Sequence, residues 1–67
     1  MPEKNRAVKQ VGPFAVVRSY HTVQVVGHER LVAMKEYSTK LRAHAEWLKL
    51  SDPATMLRFM GANSVNR

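Results

Sequence analysis

The sequence predicts an α+β fold, strands first and helices after, and three observations carry that prediction. Six of the nine valines lie between Val11 and Val26 and none between positions 33 and 64, whereas all five leucines fall at or after Leu31. β-branched side chains suit a pleated surface, while Leu, Met, Ala, Lys and Glu suit helices. The third observation is punctuation: Gly12-Pro13, Gly27 and Ser51-Asp52-Pro53 divide the chain at the places where the composition changes.

Residues 1 to 10 hold Lys4, Arg6 and Lys9 against Glu3, with few apolar neighbours, and are expected to form a flexible basic arm. A single small domain over 11 to 61 follows, then a frayed tail over 62 to 67. Within the domain, Phe14-Ala-Val-Val17 and Val23-Gln-Val-Val26 flank a polar middle. A turn at Ser19-Tyr20 makes them a short β-hairpin over about 14 to 26, with Phe14, Val16, Val23 and Val25 on one face. Ser-Tyr lacks the Gly, Asn or Asp that two-residue turns favour. One bent strand, or a single strand over 21 to 26, is therefore the alternative.

Beyond Gly27 a long amphipathic helix is expected over about 28 to 50, because Leu31, Met34, Tyr37, Leu41, His44, Ala45 and Leu48 recur at spacings of three and four. Ser38-Thr39 is its one candidate break. Asp52 is then a good N-cap, Pro53 suits a first helical position and Gly61 is a natural terminator, so a short capped helix is expected over about 53 to 60.

Composition narrows function by exclusion. The 67 residues contain no cysteine, so disulfides, thiolate metal sites and cysteine nucleophiles are out. His21, His28 and His44 lack metal-ligand spacing, and no metal or cofactor is expected. Nor is an enzyme: no carboxylate pair, phosphate loop or serine–base arrangement is in evidence. No apolar run approaches the roughly 20 residues of a membrane span, and no secretory signal is visible, so a cytoplasmic protein is expected.

Eleven Lys and Arg against five Asp and Glu, a formal charge of +6, favour a polyanionic partner. On the expected long helix Lys35, Arg42 and Lys49 recur every seven residues along one edge. With Arg18 and the arm residues Lys4, Arg6 and Lys9, they are the candidate phosphate contacts of a small nucleic-acid-binding regulator, of a size familiar in bacteria and phages. Thr22-Val23-Gln24-Val25 alternates polar and apolar before the expected helix. It resembles the ribbon of ribbon-helix-helix repressors, which implies Thr22 and Gln24 as readers of base edges. That family also has a turn between two helices soon after the strand, and no Gly or Pro interrupts residues 28 to 50 here.

The alternative is a protein-binding module, an inhibitor or adaptor that docks on an acidic or apolar surface of a larger protein. Its contacts would be Tyr37, Trp47, Met56, Phe59 and Met60, Met and aromatic side chains being enriched at interfaces. So short a chain buries little core, and a homodimer through a sheet edge or helix is a further expectation.

Overall fold

In the computed structural model, which describes residues 5 to 65, two helices follow a four-stranded sheet. The strands are β1 (Arg6–Val11), β2 (Phe14–Ser19), β3 (Thr22–Gly27) and β4 (Arg30–Glu36), antiparallel and in the order β1-β2-β3-β4. The helices are α1 (Lys40–Lys49) and α2 (Pro53–Ala62). This overturns the expected hairpin or single strand. The fold is α+β, but its sheet takes in half of the expected arm and about a third of the expected long helix.

The first correction is β1. Its residues alternate exposed and half-buried, with Ala7, Lys9 and Val11 turned toward the helices. A lysine at an inward position hid the strand pattern. Lys4 lies outside the described residues.

The second correction is β4, where a β-bulge imitated a helix. Val26 pairs with Leu31 and Val25 with Ala33, so Val32 is an extra residue between them. Leu31 and Met34 therefore lie three apart yet on the same face of the sheet, a spacing that reads as helical. The helix begins only after Ser38-Thr39, where the Thr39 hydroxyl accepts the Arg42 N–H at 3.1 Å.

Two-residue turns join the strands. Gly12 (φ 58°) precedes Pro13 in the first. The second turns at Tyr20-His21, with Tyr20 at φ 55°, one position beyond the expected Ser19-Tyr20. Moving that turn by one residue shifts the pairing register by two, so Val16 faces Val25 rather than Val23. Phe14, Val16, Val23 and Val25 still share a face.

The third turn holds His28 and Glu29 at φ 53° and 61°, the pattern of a type I′ turn, with no Gly or Asn to ease it. Both side chains are exposed, so replacing them sacrifices no packing. His28→Asn with Glu29→Gly is expected to raise stability by about 1 kcal/mol, read as a higher melting temperature. An unchanged or lower midpoint would count against strain at this turn.

Helix α2 starts at the cap read from the sequence. The Asp52 carboxylate accepts the Thr55 N–H at 3.0 Å and its hydroxyl at 2.9 Å. The backbone bond, then the hydroxyl bond, holds the Asp52 pKa below its ordinary value. Because the folded value is the lower one, the cap's contribution is complete above the unfolded value and is lost as pH falls through the folded one. Gly61 does not end this helix; Asn63 does, returning its backbone and side-chain N–H groups to the Phe59 carbonyl.

The next residues are not a frayed tail either. Met34 N–H donates to the Asn63 carbonyl and Val65 N–H to the Val32 carbonyl, and Ser64 bridges Ala33. Chain from 63 to 65 thus covers the outer edge of β4. The core lies between one sheet face and the helices: Val16, Val23, Val25 and Ala33 below, Ala43, Leu50, Met56 and Phe59 above.

Candidate nucleic-acid interface

The expected phosphate contacts separate into two sets once folded, one structural and one free. Arg18 belongs to the first, being 4% exposed on the helix-facing side of β2. Its guanidinium donates to His44 Nδ1 at 3.2 Å and to the Asn5 and Tyr20 carbonyls at 3.3 and 3.0 Å. A guanidinium spent on closing the β2–β3 turn over α1 is not available to a phosphate.

Lys9 is used likewise. Its ammonium donates to the Trp47 carbonyl at 2.5 Å and to Ser51 Oγ at 2.7 Å, and sits 4.3 Å from the Trp47 ring centroid. The last carbonyls of a helix carry partial negative charge and keep acceptor capacity to spare, the Trp47 carbonyl sharing only a bifurcated Leu50 N–H, so a cation from β1 suits both. Burial pulls the Lys9 pKa below its ordinary value.

The same contacts account for Trp47. Its indole N–H donates to the Val16 carbonyl at 2.9 Å, and its ring stacks on His44 at 5.3 Å. Trp47 bolts α1 to the sheet and is no free anchor. Met56 and Phe59 are core residues, and Tyr37 and Met60 are packed against that core. Of the five expected protein-interface residues, none stands out in solvent.

At the β4 side of the molecule two exposed cations meet, Lys35 and Arg58, the latter also donating to Thr55 Oγ1 at 3.3 Å. Lys35 and Arg58 line one cleft of about 190 Å³, with Tyr37, Glu46, Thr55 and Asn63 among its other walls. Lys35 lies on β4, not on a helix, so the seven-residue alignment with Arg42 and Lys49 has a different basis from the one expected. Arg42 and Lys49 stand four residues before and three after Glu46, on the same edge of α1. Glu46 lines the cleft, so helix spacing sets Arg42 and Lys49 next to one of its wall residues, though neither lines the cleft itself.

Arg58 is the residue sequence reasoning missed. Nothing in its spacing linked it to Lys35, because only the return of α2 over β4 brings the two together. Inside the cleft the Lys35 ammonium lies 5.2 Å from the Tyr37 ring centroid. Burial, and then the Glu46 carboxylate, push the Tyr37 phenol up to about 12, so it stays protonated and able to donate. A neutral hydroxyl beside cations is a chemically suitable partner for a phosphate oxygen.

Thr22, Gln24 and Arg6 fall elsewhere. Their register places them on the sheet face opposite the helices, so the expected base readers share a surface with Arg6 alone among the expected phosphate contacts, and not with the cleft. Among the described residues no three His, Asp or Glu side chains converge as metal ligands do. No helix there is long and apolar enough to cross a membrane. Against known proteins, the chain matches no family model, no curated protein and no solved structure.

Proposed function

We propose that this is a small non-enzymatic protein that binds nucleic acid through the phosphate backbone, at the cleft of Lys35 and Arg58 and the neighbouring Arg42–Lys49 edge. The carrying observation is that two cations from separate elements, β4 and α2, line one cleft beside a helix edge bearing two more. With Thr22 and Gln24 on another face, binding rests on phosphate contacts and is tolerant of sequence. A regulatory role through such binding is part of the proposal.

Anisotropy titrations with labelled single- and double-stranded oligonucleotides test it. Affinity is expected to fall steeply with salt, and Lys35→Glu with Arg42→Glu and Arg58→Glu to weaken binding about 100-fold or more while flattening the salt slope. All three side chains are exposed, so the fold survives the changes. Salt-independent binding, or none at low salt, overturns the reading.

A second reading is favoured by a different observation. Leu41, 81% exposed, and Leu48, 56% exposed, join Ala45 in an apolar ridge along the outer side of α1. In that reading the protein is an adaptor or inhibitor laying α1 against an apolar surface of a larger protein, with the ridge in place of Trp47 as its anchor.

A further inference from the structure

The sheet has a second face, turned away from the helices, and its residues are ordered in three rows across the strands. Pairing along the first row runs Arg6, Ser19, Thr22, Glu36. The second row holds Val8, Val17 and Met34 around Gln24, and the third holds Ala15, Val26 and Leu31 beside Gln10. One row is therefore polar with opposite charges at its two ends, and two are mainly apolar. Val8 is 56% and Met34 37% exposed.

We infer that this face packs on the same face of a second copy, about a two-fold axis parallel to the strands. That axis lays β1 of one protomer over β4 of its partner while keeping each row opposite itself. Arg6 then meets a partner's Glu36 at one end of the polar row, and Glu36 meets a partner's Arg6 at the other. Val8 lies over Met34 in the second row and Ala15 over Val26 in the third. Aligned sheets pack about 10 Å apart, a distance such side chains span.

Charge order is what selects a second copy as the occupant. A row that began and ended with the same charge would repel itself in this arrangement; this one attracts itself twice. Within one protomer Arg6 and Glu36 are on the two outer strands, roughly 14 Å apart, and cannot pair. Glu36 reaches His21 at 3.7 Å yet remains 72% exposed, leaving its carboxylate open to a cation. The alternative geometry, edge to edge, is closed on one side by residues 63 to 65 over β4.

Four strands of about six residues offer a flat footprint of roughly 400 Å² per protomer, which is small among specific interfaces and implies weak, concentration-dependent pairing. Sedimentation velocity from low micromolar to ~100 μM is the suitable measurement. The 7.6 kDa chain is expected to shift to twice that mass across the series. Arg6→Glu is expected to weaken association about tenfold, and Arg6→Glu with Glu36→Arg to restore it, since reversing both charges re-creates the pair only between protomers. Val8→Lys, on an exposed position, is expected to abolish it, with circular dichroism confirming the fold. A monomer at every concentration overturns the inference. So does a dimer indifferent to Arg6→Glu and Val8→Lys, which would assign association to the β1 edge or the α1 ridge. Neither result bears on nucleic-acid binding, because the cleft lies on the helix side.

Discussion

Leu50→Ala is expected to destabilise the protein by about 3 kcal/mol, within the usual span for a leucine deleted from a closed core. Leu50 is fully buried and closes α1, its N–H shared between the Glu46 and Trp47 carbonyls at 3.2 Å each. Deleting its side chain opens a cavity where both helices meet the sheet, and few neighbours are free to collapse into it. For 67 residues the whole stability is roughly 3–10 kcal/mol, so a third or more would go. Thermal denaturation is the measurement, with a midpoint lowered by ~12 °C or more. Leu41→Ala, in the same helix at 81% exposure, is the control and is expected to shift stability by no more than about 0.5 kcal/mol. Equal effects at the two leucines would mean that α1 is rotated from the orientation described above.

Arg18 gives the second large effect, for a different reason. Its guanidinium is buried and, among the described residues, is held by two carbonyls and one imidazole nitrogen and by no carboxylate. Arg18→Ala removes packing and leaves those acceptors without their donor, at a cost of about 3 kcal/mol. Arg18→Met keeps most of the aliphatic volume and isolates the polar part, so its cost is expected to be smaller, about 2 kcal/mol. Urea denaturation of the two variants separates the contributions. A neutral outcome for Arg18→Met would show that water replaces the guanidinium and that the side chain matters only as volume.

The contrast between Leu41 and Leu50 also explains how much of the fold was legible. Local chemistry was readable where a single side chain acts on adjacent backbone. The Asp52-Pro53 start of α2 is such a place, and so is the shared face of Phe14, Val16, Val23 and Val25, because alternation survives a two-residue register shift. Long-range arrangements were not readable. The bulge at Val32 gave Leu31 and Met34 a helical spacing that only the pairing with β3 explains. Leu41, Ala45 and Leu48 do line one side of a helix, but the buried side is that of Ala43, Trp47 and Leu50. Helices of this size are docked by the surface beneath them, and a small Ala43 allows the close approach that a leucine ridge would prevent.

The candidate site followed the same rule. Of Lys35, Arg42 and Lys49 only Lys35 lines the cleft, from a strand and not from a helix edge, while Lys9 and Arg18 carried the same charge and were committed to backbone carbonyls. Charge alone does not distinguish a free cation from one that caps a helix. Arg58 joined the cleft only through tertiary folding.

The hold of Lys9 on the end of α1 has a consequence for how the chain reaches its native state. Every strand pairs with its neighbour in sequence, so the contacts of the sheet are local and close short loops at little entropic cost. Lys9 reaches carbonyls 38 and 39 residues away, and that tie closes only after the last strand and first helix have been made. A meander built from local pairings and fastened to its helix by so distant a contact is expected to pair its strands before it docks its helices, so Lys9→Ala should speed unfolding more than it slows folding.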